Sequence, residues 1–185
     1  MKRCSWVREN NPLYVVYHDT EWGKPLHDDQ ALFELLCLET YQAGLSWETI
    51  LNKRAAFKQS FYDYDVTKVA QMTDEELEML LQNPEIVRNH RKIFATRTNA
   101  KAFIKIQKEF GSFDEYLWRW VDYAPIVNEV EDYANFPAST PLSENLSKDL
   151  KKRGFKFVGP VCVCSFLQAA GLVNDHEVDC DFKSI

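Results

Sequence analysis

The stretch LSENLSKDLKKRGFKFVGPVCVCSFLQAAG, from Leu142 to Gly171, decides the fold. Its first part has helical spacing and ends at Gly154, and a second helix is predicted to begin near Pro160 and to run to Gly171, because proline suits the first helical turn and glycine the position after the last. The stretch therefore predicts two helices joined by a short turn. Backbone N–H groups of such a turn and a helix N-terminus can receive a phosphate group.

Helical spacing continues upstream of this pair. In DDQALFELLCLETYQ, residues 28–42, apolar residues recur at steps of three and four, and Asp28 is placed to cap the helix. Thr73 with Glu76, and Ser112 with Glu115, match the S/T-x-x-E capping box that begins a helix. These signals predict three further helices.

The remaining pattern completes an all-α prediction. Pro84 is placed to open a long helix that Gly111 ends. The segment from about Asp122 to Pro141 has weak periodicity and several prolines, which predicts an irregular connection. Alternating strand patterns of useful length are absent. We expect one all-α unit over residues 1–185 in which the two chain ends meet.

The composition fits one globular unit. The chain has 185 residues, 45% of them hydrophobic, and a formal net charge of -6, which excludes a disordered tail protein and a disulfide miniprotein. No export signal is recognised and no window approaches about 18 apolar residues, so we expect a soluble cytoplasmic protein with no membrane contact. The five cysteines are an odd number, which favours reduced thiols or metal ligands over disulfides.

Cysteine and histidine residues near the two chain ends suggest a metal site. Cys4 and His18 lie near the start, and His176 and Cys180 stand four residues apart near the end. Two thiolates and two imidazoles suit tetrahedral zinc, and such a set leaves no open position for a substrate. The pattern indicates a structural ion that ties the termini together. The cysteine pair at positions 162–164 offers rival ligands, and unrelated core thiols with surface histidines are the alternative.

Glu39 follows LLCL at the end of an otherwise apolar helix. An acidic residue there either faces water or lies in a pocket where it needs a donor or a cationic partner. A carboxylate walled by rings can receive a flat, positively charged heterocycle through stacking, cation–π attraction and hydrogen bonding. The alternative for each single ring is that it fills the core. The rings concentrated in the first quarter of the chain are Trp6, Tyr14, Tyr17, Trp22, Tyr41 and Trp47.

Although the net charge is negative, the sequence contains two local clusters of Lys and Arg residues. Seven Lys or Arg residues within residues 84–110 are interpreted as a solvated helix face. The second cluster, KKRGFK, contains Lys151, Lys152, Arg153 and Lys156 and lies on the junction between the two last helices. Its position predicts an anion site.

Five motifs together resemble the DNA-3-methyladenine glycosylase I family, the constitutive alkylation-repair glycosylases of bacteria. They occur in the family's order and span the chain from Arg3 to Cys180. The motifs are RCSWV (3–7), YHDTEWGKP (17–25), LCLETYQAGLSW (36–47), LKKRGFKFVGP (150–160) and GLVNDHEVDC (171–180).

The resemblance implies a helix-hairpin-helix DNA glycosylase fold and a specific reaction. Such a protein flips 3-methyladenine out of alkylated double-stranded DNA and hydrolyses its N-glycosidic bond, leaving an abasic site and the free base. A monomer in the bacterial cytoplasm is implied, with one structural Zn²⁺ joining the terminal segments 1–27 and 172–185. The implied zinc ligands are Cys4, His18, His176 and Cys180. The implied base-binding residues are Trp6, Tyr17, Trp22, Trp47 and Glu39, the last of which is also the catalytic residue.

The hairpin is expected to face the DNA. Backbone amides of residues 157–161, Pro160 excepted because it has no N–H, are predicted to meet phosphates beside the lesion. Gln42 and Leu45 are candidates to fill the gap left by the flipped nucleotide. The full predicted DNA-binding set is Gln42, Leu45, Lys151, Lys152, Arg153, Lys156, Phe157 and Gly159.

The sequence departs from the family pattern in three places. The hairpin keeps only Gly159 of the usual glycine, hydrophobe and glycine. The catalytic Asp that the superfamily usually carries after the hairpin has no clear counterpart: Asp175 is near that region but receives no catalytic role, because it adjoins an implied zinc ligand. Cys164 stands where the family-like run has a tyrosine, which predicts an altered pocket wall or DNA contact. No lysine is placed as a nucleophile, so strand cleavage is not predicted.

Two other functions remain open. A non-catalytic binder of alkylated DNA would use the same pocket and hairpin. A zinc-dependent hydrolase with Glu39 as general base would require an open coordination position on the metal.

Overall fold

The structure, a computed structural model, describes residues 1–183. The last two residues of the predicted terminal segment 172–185 lie outside this part. No helix within it is long and apolar enough to cross a membrane. In the described residues the helices are α1 (Pro12–Thr20), α2 (Asp29–Tyr41), α3 (Trp47–Ser60), α4 (Val66–Gln71), α5 (Asp74–Leu80), α6 (His90–Phe110), α7 (Phe113–Trp118), α8 (Pro141–Lys152) and α9 (Pro160–Ala169).

The helical prediction is confirmed apart from one small sheet. Strands β1 (Ile126–Val127) and β2 (Val173–Asn174) pair in parallel, with Ile126 opposite Val173. β1 lies in the segment predicted to be irregular, and each strand has two residues, which is too short for an alternating pattern to be visible in the sequence.

Helix α2 is the centre of the core. The side chain of Asp28 caps it by accepting from the N–H of Ala31 at 2.8 Å, as the sequence predicts. Every residue of α2 from Leu32 to Tyr41 is buried, because α3, α6, α7 and α9 all pack against the helix. A helix that is apolar on nearly all sides is stable only in such a position.

The predicted helix pair is confirmed as α8 and α9. Pro141 begins α8 behind a capping box formed by Thr140 and Ser143, and α9 begins at Pro160. Gly154 follows the end of α8 with a φ of +98°, a conformation that glycine adopts without strain.

The turn between α8 and α9 is attached to helix α6. The side chain of Asn99 accepts from the N–H of Lys156 at 2.8 Å and donates to its carbonyl at 3.1 Å. Ser147 donates to the carbonyl of Val158 at 2.6 Å. Because these contacts hold the backbone itself, the turn has a defined position against the body of the protein.

Two sequence expectations require correction. The long helix begins at His90 rather than Pro84, because the side chain of Asn89 accepts from the N–H of Lys92 and acts as the cap. Ser112 caps α7 by accepting from the N–H of Glu115 at 2.9 Å, but the carboxylate of Glu115 accepts from a tyrosine hydroxyl instead of closing the capping box.

The two chain ends meet, as predicted. The N–H of Asp181 donates to the carbonyl of Lys2 at 2.9 Å. Nearby, the N–H of Gly23 donates to the carbonyl of Gln168 at 3.0 Å. Gly171 has a φ of +71°, and a Cβ there would lie 2.1 Å from the carbonyl carbon of Lys24. The N-terminal segment therefore packs directly on the end of α9, where only glycine fits.

Candidate base pocket and metal centre

A cavity of about 260 Å³ lies between the N-terminal segment, α2, α3 and α9. All five residues that the sequence predicts as base-binding line it, and so does the predicted DNA-contacting Gln42. The lining residues are Trp6, Tyr14, Tyr17, Trp22, Glu39, Gln42, Trp47, Tyr133, Ser165 and Gln168.

Aromatic rings form most of the cavity wall. The ring centroids of Trp6 and Trp22 lie 4.8 Å apart at an interplanar angle of 69°, and those of Tyr17 and Trp47 lie 5.2 Å apart. The indole N–H groups of Trp6 and Trp47 are buried without a hydrogen-bond partner among the described residues. Buried donors are normally paired, so these two indicate a ligand with acceptor atoms.

Glu39 supplies the carboxyl group of the cavity. The residue is 4% exposed, and its Oε2 atom has no hydrogen-bond partner within residues 1–183. Burial raises the pKa of Glu39 to about 8. A cationic ligand in the cavity would favour the ionised carboxylate and lower that pKa.

Glu34, five residues earlier on α2, is a second buried carboxylate, and it is paired within the protein. It is 5% exposed. Arg54 donates to Oε1 at 2.7 Å, and Lys58 donates to Oε2 at 3.2 Å. Glu39 has no such ion pair among the described residues, so its lack of a partner is a local feature of the cavity rather than a general property of the helix.

The four predicted metal ligands form one buried cluster. The donor atoms of Cys4, His18, His176 and Cys180 all lie within 4.8 Å of one another. Sγ of Cys180 is 3.5 Å from Nε2 of His18, and tetrahedral bonds of about 2.3 Å to sulfur and about 2.0 Å to nitrogen give a sulfur–nitrogen separation of about 3.5 Å. The rival Cys162 is not part of the cluster, nor is Cys164.

The outer nitrogen of each imidazole already has a partner. Nδ1 of His18 is 2.8 Å from Oδ1 of Asp19, and Nδ1 of His176 is 2.9 Å from Oδ1 of Asn174. Nε2 of His176 is buried without a hydrogen-bond partner in the described part of the chain. This arrangement fixes the ring tautomers and leaves Nε2 of both rings for a metal ion.

The protonation of the cluster agrees with this role. Burial lowers the pKa of His176 to about 4, which keeps the imidazole neutral as a metal ligand must be. Burial raises the pKa of Cys4 to about 12. A bound metal would displace that thiol proton.

A second cavity of about 490 Å³ opens beside the first. The two cavities share Glu39, Gln42 and Ser165. The rest of its lining comes from the loop after α2 and from the junction of the hairpin with α9, and Leu45 in that loop is 39% exposed. These residues are Ala43, Gly44, Leu45, Phe157, Gly159, Val161 and Cys162. The predicted contacts Gln42, Leu45, Phe157 and Gly159 all line this groove, so a nucleotide strand in the groove would lead into the base pocket.

The basic residues of the hairpin fall into two groups. Lys151, Lys152 and Lys156 are exposed, and their side chains form no ion pair among residues 1–183. Arg153 is engaged instead, since Nε donates to Asp149 at 2.6 Å and Nη1 donates to Glu109 at 2.7 Å. The guanidinium of Arg153 is therefore paired with carboxylates of the protein, unlike the three lysines. Its predicted phosphate contact stays a prediction.

Other expectations are resolved by packing. Tyr41 packs in the core, with its ring stacked 4.3 Å from that of Phe57. Cys164 is buried and lines neither cavity, so the substitution there does not form the pocket wall, whereas Cys162 lines the groove. Asp175 is buried as an acceptor for side-chain amides and is outside both cavities.

Sequence reasoning assigned no role in the pocket to several lining residues. Tyr14 precedes Tyr17 by three positions on α1, a spacing that places both on one helix face. Ser165 and Gln168 show the same spacing on α9, but the sequence does not reveal what that face meets. Tyr133 had no signal, since it lies in the irregular connection.

Fold and site together define a helical protein with an aromatic cavity that holds a buried carboxyl group, beside a buried cysteine–histidine cluster. The profile of the family described as methyladenine glycosylase matches residues 6–184. The chain is 47% identical over 180 residues to DNA-3-methyladenine glycosylase 1 of Escherichia coli (strain K12), covering 97% of this chain and 96% of the relative. It is 44% identical over 182 residues to DNA-3-methyladenine glycosylase of Haemophilus influenzae (strain ATCC 51907 / DSM 11121 / KW20 / Rd), covering 98% of each.

Comparison with a solved structure also shows this family's fold. A variant of 3-methyladenine DNA glycosylase I in complex with 3-methyladenine superposes with a TM-score of 0.96 at 43% identity, covering 100% of this chain and 99% of that chain. The chain belongs to the methyladenine glycosylase family.

The burial of Glu39 predicts a pH-dependent stability effect. In the unfolded chain its pKa is about 4.3, whereas burial raises the pKa to about 8 in the fold. Between these values the unfolded state releases the proton that the native state keeps, so stability falls as pH rises, by about 3 to 4 kcal/mol at pH 7. Glu39→Gln should therefore raise the free energy of unfolding in urea at pH 7 by up to about this amount, with the gain shrinking towards pH 5.

Glu34→Gln is the matched control on the same helix. Because Glu34 is ion-paired with Arg54 and Lys58, its substitution should lower stability at pH 7. A gain from Glu39→Gln that is the same at pH 5 and pH 8 would contradict the assigned environment of Glu39.

Proposed function

We propose that this protein is a DNA-3-methyladenine glycosylase, which takes the alkylated base out of duplex DNA and hydrolyses its N-glycosidic bond to leave an abasic site. The family membership and the names of the relatives support this function. The single observation that carries it is that Oε2 of Glu39 has no hydrogen-bond partner in the described part of the chain and is buried in a cavity walled by aromatic rings.

The pocket suits the chemistry of the lesion. Methylation at N3 makes adenine cationic in the nucleotide, which weakens the bond to the sugar and turns the neutral base into a good leaving group. The rings of Tyr17 and Trp47 supply stacking and cation–π attraction. We assign Glu39 to the exocyclic amine and the N7 side of the base. An ionised Glu39 would also stabilise positive charge that develops on the sugar as the bond breaks.

The groove and the hairpin suit the DNA side. Exposed backbone and the unpaired lysines Lys151, Lys152 and Lys156 would meet phosphates. Gln42 lines both the groove and the pocket, and Leu45 lines the groove. Either side chain would fill the gap left by an extruded nucleotide. The relation of this hairpin to the helix-hairpin-helix superfamily stays a prediction, as do monomeric state and bacterial cytoplasmic location.

The cysteine–histidine cluster suits a structural zinc ion. Four protein donors fill the positions of a tetrahedral ion, which leaves none for substrate. Glu39 is outside the cluster, which argues against the alternative of a metal-dependent hydrolase with Glu39 as general base. When bound, the ion would cross-link the first and last segments of the chain.

Base release tests the reaction. Incubated with DNA treated with a methylating agent, the protein should release 3-methyladenine, identified by chromatography. Glu39→Gln should slow release about 100-fold, because it removes a charge used in the transition state. Glu48→Gln is the matched control, since Glu48 adjoins Trp47 but pairs with Arg8 at 3.1 Å, and it should retain the wild-type rate.

Other outcomes separate the alternatives. Binding of methylated DNA by the folded protein without base release above background would identify a non-catalytic binder. Equal rates for Glu39→Gln and wild type would remove the assigned role of Glu39.

Charge reversal tests the DNA interface. Each phosphate contact contributes about 0.9 to the slope of log affinity against log salt concentration. Lys152→Glu should weaken DNA binding and reduce that slope by about 1 while leaving affinity for free 3-methyladenine unchanged. Lys68→Glu, at an exposed lysine on α4, should not change the slope. An unchanged slope for Lys152→Glu would place the DNA elsewhere.

Metal analysis tests the zinc site. Elemental analysis should find one zinc per chain, and Cys180→Ser or His176→Ala should lower both zinc content and thermal stability, because metal binding contributes directly to folding. Cys162→Ser and Cys164→Ser are matched controls and should keep full occupancy. Loss of zinc from Cys162→Ser or Cys164→Ser, with full occupancy in Cys180→Ser and His176→Ala, would assign the ligand role to Cys162 and Cys164 instead.

A further inference from the structure

Tyr133 reaches the base pocket from the irregular connection between α7 and α8. Its ring centroid lies 6.1 Å from that of Trp6 and 6.0 Å from that of Trp22, and the residue lines the same cavity as Glu39. On another side the ring of Phe136 stacks on it at 5.5 Å, with 6° between the planes. Tyr133 is therefore half-buried against the pocket, although its neighbours in sequence are exposed.

A buried hydrogen-bond chain holds the hydroxyl group of Tyr133. The hydroxyl donates to Oε1 of Gln168 at 2.8 Å, and Nε2 of Gln168 donates to Oδ2 of Asp175 at 2.7 Å. Nδ2 of Asn128 donates to Oδ1 of Asp175 at 2.7 Å. A carboxylate that accepts on both oxygens fixes the orientation of the Gln168 amide, which in turn fixes the direction of the bond from Tyr133.

The backbone of Tyr133 is held as well. Its N–H donates to Oε1 of Glu177 at 3.0 Å. The other oxygen of Glu177 accepts from the N–H of Ser5 at 2.7 Å. The residue is thus fixed at both its backbone and its hydroxyl, which is unusual for a side chain in an irregular connection.

We propose that Tyr133 is a wall of the pocket that contacts the alkylated purine, and that Gln168 is the positioning residue that holds it there. The inference deepens the proposed function and rests on it. A ring fixed in this way loses little conformational freedom when the base binds, so its contact area adds to affinity. The connection between α7 and α8 thereby becomes part of the binding site.

Affinity for free 3-methyladenine, measured by calorimetric titration of the metal-loaded protein, tests the wall. Tyr133→Leu should raise the dissociation constant about tenfold, since it removes a base-contacting ring, and Tyr133→Phe should raise it by a smaller factor. Tyr123→Leu is the matched control, because Tyr123 lies at the start of the same connection and is 59% exposed. The Tyr123→Leu variant should have the dissociation constant, zinc content and thermal stability of the wild type.

A double-mutant cycle tests the positioning role. Gln168→Met should weaken binding about threefold in the wild type and by a clearly smaller factor in the Tyr133→Phe background, because part of its effect passes through the tyrosine hydroxyl. Any effect left in that background would come from Gln168 itself, which also lines the cavity. Equal effects in both backgrounds would overturn the positioning role.

Two further results would overturn the wall itself. If Tyr133→Leu binds 3-methyladenine as tightly as the wild type does, the proposed contact of Tyr133 with the base is overturned. The proposed function still stands in that case, provided that the wild type binds 3-methyladenine and releases it from DNA. A wild type that binds no 3-methyladenine would overturn it together with the proposed function.

Discussion

The burial of α2 on every side is the constraint on which the rest of the structure depends. Its leucines and phenylalanine form the centre of the core, and the same burial brings two carboxyl groups out of water. Glu34 is stabilised by Arg54 and Lys58. Oε2 of Glu39 has no hydrogen-bond partner within residues 1–183, and burial raises the pKa of Glu39 to about 8. A buried group that destabilises the ligand-free fold in this way is typical of a binding site, because a ligand can supply the hydrogen-bond donor or positive charge that the carboxylate lacks.

The closure of the two chain ends builds the pocket and the metal centre together. The ring of Trp6 lies 5.3 Å from that of His18, and the ring of Trp22 lies 4.6 Å from that of His176. Two pocket walls therefore pack directly on candidate metal ligands. A structural ion at the cluster would fix the position of these rings without taking part in the chemistry.

Helix α6 links the two segments proposed to meet DNA. Nζ of the buried Lys92 donates to the carbonyls of Tyr41 and Ala43 at 2.8 Å and 2.6 Å, which fixes the start of the loop that carries Leu45. Seven residues later Asn99 holds the backbone of the hairpin at Lys156. The width of the groove between loop and hairpin is thus set by one rigid helix, which suits a strand of fixed dimensions.

The sequence by itself determined the features that depend on neighbouring residues. Helix α2 with its Asp28 cap and the α8–α9 pair, whose second helix begins at Pro160, follow from local spacing, because capping and helical periodicity act within a few positions. The cysteine–histidine set followed from the resemblance of sequence motifs, since spacing alone left Cys162 and Cys164 as rival ligands. Only the tertiary structure decided the position of Tyr133 in the cavity wall and the pairing of Arg153 with Glu109. Tyr133 is 35 residues from its partner Gln168, and Arg153 is 44 residues from its partner Glu109. In each case the outcome depended on which competing contacts the packed chain allowed.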